Sequence, residues 1–218
     1  MKFFLDTADI KEIKELINTG WVDGITTNPS LIRASGRQFI DVIAEICEFV
    51  SGPVSAEVIS TDYDNMIQEG RKLAKIAPNV VIKVPLTLEG LKVCRTLTDE
   101  GTQVNVTLCF SSGQAILAAK SGAAFISPFI GRLDDIGFDG VTLIQEICQI
   151  YSQYPEFETK VLAASIRNPV HITQVAQWGA DIVTVPPPLI YKLLHHPLTE
   201  KGIDTFTKDW QKTGQSIL

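Results

Sequence analysis

Histidine and cysteine are scarce in this chain, and neither recurs at a spacing that holds a metal. The three histidines are His171 and the adjacent pair His195 and His196. They offer no ligand spacing and are expected on the surface, with no metal bound. The four cysteines, Cys47, Cys94, Cys109 and Cys148, form no close-spaced pair, which argues for reduced thiols in a cytoplasm. Basic residues are outnumbered, 19 Lys and Arg against 25 Asp and Glu, for a formal net charge of −6. That balance argues against a nucleic-acid partner. No apolar run approaches the length of a membrane span, and Met1-Lys-Phe-Phe-Leu-Asp6 turns polar too early for a signal peptide, so no membrane partner is expected. A G-x-G-x-x-G or Walker turn is missing as well, which counts against an open nucleotide-binding sheet.

What the chain does have is apolar content, 45% of 218 residues, enough for one sizeable core and a single domain. Strand and helix patterns alternate throughout. Short apolar, β-branched runs mark strands at Lys2–Asp6, Asp23–Thr27, Val54–Val58, Val80–Val84, Gln103–Leu108, Ala124–Pro128, Lys160–Ala164 and Asp181–Val185. Between them lie stripes at helical spacing, such as Phe39, Val42, Ile43, Ile46, Phe49 and Val50. Eight strand–helix units specify a parallel α/β architecture, and a closed (β/α)8 TIM barrel accounts for the count most simply. The barrel is expected over residues 1–200. Beyond it, Ile203, Phe206 and Trp210 share one face of an extra C-terminal helix, over about 203–218. That segment either closes the bottom of its own barrel or packs on a neighbouring subunit.

The run Val80-Val-Ile-Lys-Val84 places Lys83 inside an otherwise buried strand. Desolvation disfavours the charged amine there, so Lys83 is a candidate nucleophile; the alternative is a lysine paired to an acid. Catalytic groups of a barrel stand at the C-terminal ends of its strands. Those ends carry Asp6, Asn28, Glu57, Asn105 with Thr107, Ser127 with Arg132 just beyond, and Ser165 with Arg167. Strand eight alone finishes apolar, at Val183-Thr184-Val185. One strand-end acid is usually a helix cap; seven polar endings at one rim are better explained by a site. Glu57 and Lys83, on neighbouring strands, would otherwise be a buried ion pair that is costly to maintain. Two arginines and a hydroxyl suit a phosphate.

The motifs Phe4-Leu-Asp6-Thr, Gly24-Ile-Thr-Thr-Asn28-Pro-Ser30, Ile82-Lys83-Val-Pro85, Asn105-Val-Thr107, Ser127-Pro-Phe129-Ile-Gly-Arg132 and Ala164-Ser165-Ile-Arg167-Asn together resemble the transaldolase family, in its short form related to fructose-6-phosphate aldolases. The resemblance spans most of the barrel. It implies Schiff-base chemistry on Lys83 without metal or cofactor, with Asp6 taking the proton of the donor's C4 hydroxyl. Glu57 would move protons through a water held with Thr107. The resemblance further implies that Asn28 and Asn105 hold the dihydroxyacetone hydroxyls, with Ser127 and Phe129 lining the pocket. Arg132, Ser165 and Arg167 would hold the sugar phosphate.

Within the family, the aldolase branch has tyrosine where this chain has Phe129, glutamine where it has Glu57 and glycine where it has Asn105, so the resemblance points to transfer between sugar phosphates. It also implies a homo-oligomer, commonly a decamer of two pentamers. Fructose-6-phosphate aldolase is the alternative within the family, and a non-catalytic sugar-phosphate-binding barrel the alternative outside it. A pyridoxal-phosphate enzyme would also use a strand lysine, but no partner for the pyridine nitrogen stands out.

Overall fold

The computed structural model describes every residue from Met1 to Leu218. The first half runs β1 (Lys2–Asp6), α1 (Ile10–Ile17), β2 (Gly24–Thr26), α2 (Pro29–Ser35), α3 (Phe39–Phe49), β3 (Val54–Glu57), α4 (Tyr63–Ala74), β4 (Val80–Pro85) and α5 (Leu88–Asp99). It continues with β5 (Val104–Cys109), α6 (Ser112–Lys120), β6 (Phe125–Pro128), α7 (Ile130–Asp134), α8 (Gly140–Gln153) and β7 (Lys160–Ala163). The last elements are α9 (Pro169–Gln177), β8 (Ile182–Val185), α10 (Pro187–Leu194) and α11 (Pro197–Thr213). All eight strands pair in parallel and in sequence order, and β8 returns to β1 with Lys2 opposite Ile182. The barrel is closed, as the strand count requires.

Alternation along each strand divides the buried side chains between two cores. The outward set, including Leu5, Ile25, Ile82, Val84 and Val183, joins the helices in a core of 45 buried residues. The inward set begins with an apolar plug of Phe4, Val81, Phe125, Leu162, Ala164 and Ile182. Phe4 and Phe125 meet edge to face, with ring centroids 6.2 Å apart. Gly24 stands opposite Phe4 in the ladder, and a Cβ there would lie 2.7 Å from the ring. Glycine is what lets Phe4 fill the lower barrel. Above the plug the same inward faces carry Asp6, Thr26, Glu57, Lys83, Thr107, Ser127 and Thr184, so strand register alone gathers the polar groups into one ring.

Three helices were not legible in the apolar spacing, and prolines account for two of them. In α2, Pro29 occupies the first turn and the Asn28 side chain caps it by accepting from Leu31 N–H. In α10, Pro187 and Pro188 form the first turn, where a missing N–H costs nothing, so the proline cluster starts a helix rather than ending one. The third, α7, has five residues and follows β6 after Phe129. The C-terminal helix is longer than its aromatic stripe, and none of its residues is buried. Ile203, Phe206 and Trp210 are all exposed, so α11 does not close its own barrel. No helix is long and apolar enough to cross a membrane.

Candidate active site

Register places Glu57 of β3 beside Lys83 of β4, on the same face of the sheet. Their side chains meet, Lys83 Nζ lying 2.9 Å from Glu57 Oε2, with 7% and 16% of the two side chains exposed. The amine also donates to the Thr27 carbonyl at 3.1 Å. Breaking such a pair from one side costs about 3–5 kcal/mol when it is dry, and less where a cavity admits water. The reading of Glu57 as acting through a water is therefore supplemented by direct contact with the amine.

Asp6 ends β1 on the same ring. Burial holds its carboxyl above the usual range; the Lys83 charge and a hydrogen bond from Thr26 pull the other way, and Glu57 adds to the upward push. Thr26 Oγ1 donates to Asp6 Oδ1 at 2.8 Å and lies 2.6 Å from Thr184 Oγ1. Strand eight does not finish apolar after all: Thr184 points inward and lines the site.

The β5 strand is irregular where it reaches the site. Its register against β6 shifts between Val106 and Cys109, and Leu108 has φ of 60°. Ser165, with φ of 59°, is the other non-glycine residue in the left-handed region, and both line the cavity. Strain of this kind persists where surrounding structure enforces it. Beside Leu108, the Thr107 hydroxyl is buried and finds no partner in the protein. An unpaired hydroxyl costs about 1–3 kcal/mol, which marks Thr107 as a group that serves something other than the fold.

On the β6–β7 side of the same rim, Arg132 of α7 and Arg167 after β7 both line the cavity, with the Arg167 side chain against Gly131. The Gly131 N–H donates to the Ser165 carbonyl at 2.9 Å. A Cβ on Gly131 would lie 2.6 Å from that oxygen and run into the Arg167 side chain. The Arg132 guanidinium stacks 4.8 Å from the Phe129 ring centroid, and Phe129 meets Phe110 edge to face at 5.8 Å. Arg167 is held by Asp135 at 2.8 Å. His171 is buried rather than on the surface: it sits on α9 with Nε2 3.3 Å from Asp134, tying that helix to the end of α7.

These groups surround a cavity of about 440 Å³. It is lined by Asp6, Asn28, Glu57, Lys83, Thr107, Ser127, Phe129, Arg132, Ser165 and Arg167. Of the candidate residues, Asn105 stands apart. It is fully buried beneath the cavity, donating to Ser55 Oγ at 3.2 Å and accepting from Ser127 Oγ at 2.8 Å. Its amide braces Ser55 and Ser127 from below. The sequence reading missed Thr26, Thr184, Ser30, Leu31 and Leu108 among the lining residues. For the two threonines alternation carries the signal, since Thr26 shares a face with Gly24 on β2 and Thr184 with Ile182 on β8.

A buried amine with one carboxylate in contact and a second on the same wall, in a cavity that two arginines also line, is an arrangement capable of imine chemistry on a phosphorylated carbonyl compound. The sequence profile of the Transaldolase/Fructose-6-phosphate aldolase family matches residues 3–217. The chain belongs to that family. Two relatives, from Rhodospirillum centenum and Parvibaculum lavamentivorans, are each named "Probable transaldolase". The first is 65% identical over all of this chain and 94% of its own length. The second is 63% identical over the whole of both chains. The family is thus matched from end to end, α11 included. A solved inosine 5′-monophosphate dehydrogenase from Legionella pneumophila shares the barrel alone, with a TM-score of 0.62 and 14% identity over 87% of this chain and 58% of that one.

Proposed function

We propose that this enzyme is a transaldolase, moving a dihydroxyacetone unit from a ketose phosphate such as sedoheptulose 7-phosphate or fructose 6-phosphate to glyceraldehyde 3-phosphate or erythrose 4-phosphate, as in the pentose phosphate pathway. The contact of Lys83 with Glu57 at the floor of a cavity that Asp6 also lines carries the reading. Glu57 takes a proton from the Lys83 ammonium, and the free amine attacks the ketose C2 carbonyl. The carbinolamine loses its oxygen as water, with the protons moving between Glu57 and a water held by the Thr107 hydroxyl. The resulting iminium is the electron sink. Asp6 takes the proton of the C4 hydroxyl, the C3–C4 bond breaks, its electrons enter the iminium to give an enamine, and C4 leaves as the aldehyde of an aldose phosphate. The enamine C3 then attacks the acceptor aldehyde, whose oxygen recovers the proton from Asp6. Hydrolysis of the new imine frees the product ketose and Lys83.

The cap on α2 uses the Asn28 carbonyl oxygen and leaves its amide N–H groups for the donor hydroxyls. Ser127, whose proton is committed to Asn105, offers them acceptor lone pairs. Arg132, Arg167 and Ser165 take the phosphate, with guanidinium forks matched to its oxygens.

The alternative within the family, fructose-6-phosphate aldolase, ends the cycle by protonating the enamine from water. Phe129 has no hydroxyl to orient that water, and its ring is committed to Arg132 and Phe110. Phe129→Tyr is expected to raise release of glyceraldehyde 3-phosphate from fructose 6-phosphate without acceptor by about tenfold; an unchanged rate would remove this residue from the distinction. The parent reading is tested by the same release with and without erythrose 4-phosphate. Turnover that needs the acceptor supports transfer, equal turnover without it indicates aldolase, and no turnover leaves a sugar-phosphate-binding barrel.

The protein is further read as a cytoplasmic homo-oligomer, with ten copies as the family expectation. Ile203, Phe206 and Trp210, 60%, 75% and 43% exposed on α11, support that reading. Light scattering at micromolar concentration is expected to return a multimer, and a monomeric mass would rule the assembly out.

A further inference from the structure

The group that holds Asp6 is a pair of threonines, and their order can be worked out by counting protons. Thr26 has one hydroxyl hydrogen, which it donates to Asp6 Oδ1 at 2.8 Å. Its 2.6 Å contact with Thr184 Oγ1 must then run the other way, with Thr184 as donor. The chain is Thr184 O–H to Thr26 O–H to Asp6 Oδ1, across the inward faces of the neighbouring strands β8, β1 and β2. Thr26 and Thr184 are 2% and 3% exposed, so water has little access to stand in for either hydroxyl.

We propose that Thr184 is a positioning residue for carbon–carbon bond cleavage: its hydroxyl fixes the direction of the Thr26 hydroxyl, which pins Asp6 Oδ1 and leaves Oδ2 for the substrate's C4 hydroxyl. The inference rests on the reading of Asp6 as the proton acceptor in that step. Consecutive hydrogen bonds polarise one another, so the Thr26 bond to the carboxylate is stronger with Thr184 behind it. The charged groups acting on Asp6 are Glu57 from β3 and Lys83 from β4; Thr26 and Thr184, from β2 and β8, are neutral. The two-threonine chain therefore works alongside Lys83 to keep Asp6 ionised, and so able to accept a proton, against burial and Glu57.

Thr184→Val keeps the shape of the side chain and its strand propensity while removing the donor. Acceptor-dependent kcat from fructose 6-phosphate is expected to fall about tenfold, with KM changed by less than about twofold. The acidic limb of the kcat profile should move to higher pH, because a carboxylate that has lost part of its hydrogen bonding protonates more readily. Borohydride trapping of the donor on Lys83 should be unchanged, since imine formation runs through Glu57. Thr184→Ser should restore both the rate and the limb. A Thr184→Val enzyme with the parental kcat and limb overturns the proposal. So does a Thr184→Ser enzyme that behaves like Thr184→Val, or loss of trapping together with rate, either of which makes the residue structural. Asp6→Asn measured in parallel separates the two levels. Parental cleavage in Asp6→Asn defeats the assignment of Asp6, whereas abolished cleavage there with a parental Thr184→Val defeats only the role of Thr184.

Discussion

Lys83→Met is expected to lower acceptor-dependent turnover by roughly five orders of magnitude and to abolish the borohydride adduct with fructose 6-phosphate. Methionine matches the length of the lysine stem and keeps the strand packed, so the loss is chemical. The other lysines are exposed; Lys160, which meets Asp181 beside a second cavity, stands at the opposite, N-terminal mouth of the barrel, and Lys83 is the buried one. The electrostatic consequence is separate from the kinetic one. Lys83 is the charge that most opposes the upward push of burial on Asp6, so its removal raises the Asp6 carboxyl further. A carboxyl raised in the folded state above its unfolded value makes stability fall as pH rises from the unfolded value through the folded one. Lys83→Met should accordingly lose more stability than the parent enzyme as pH rises above about 4, measured as urea midpoints. An adduct that survives in the variant would move the nucleophile elsewhere in the chain.

The barrel was legible because parallel strands buried on both faces must be apolar and β-branched, and eight such runs between helical stripes leave few other closures. The ring of polar side chains that lines the cavity was legible for a related reason. Lys83 and Glu57 break runs that are otherwise apolar, and a charge in that setting stands out against what the sheet requires. Thr26 and Thr184 break nothing, since threonine is an ordinary strand former, and a hydroxyl chain across three strands becomes visible only when the barrel closes β8 onto β1. Asn105 shows the limit of facing without depth. Alternation correctly puts it inward with Thr107, but two residues along a strand are about 6.6 Å, enough to drop Asn105 from the wall of the cavity to its foundations. His171 was misread as a surface residue because nothing near it in sequence signals Asp134, which arrives from the far side of α8. Helices α2 and α10 were hidden by prolines that mark starts and stops with equal force.

Asp6→Asn is expected to lower cleavage by about 10²–10⁴-fold while making the protein more stable at neutral pH. The kinetic half follows from losing the base that takes the C4 proton; asparagine cannot accept it. The stability half follows from the direction in which Asp6 is displaced. Burial is the largest influence on its carboxyl, and burial and Glu57 together outweigh Lys83 and Thr26. The ionised side chain therefore opposes folding throughout the neutral range, and that opposition develops as pH rises from the unfolded value near 3.8. Asparagine removes the charge and keeps an oxygen for the Thr26 hydroxyl, while Lys83 retains Glu57 at 2.9 Å. The melting midpoint should rise by about 2–4 °C at pH 8, and the gain should shrink toward zero as pH falls below 4. A lower midpoint at pH 8 would mean that Lys83 stabilises the Asp6 carboxylate more than burial penalises it. The expected gain reflects the charge pattern of the ring, in which two carboxylates share one ammionium-bearing side chain and only one of them touches it. Glu57 takes the ion pair, and Asp6 is left with the Thr26 hydroxyl, backed by Thr184, and an unmet attraction for a proton, which is the property the proposed cleavage step uses.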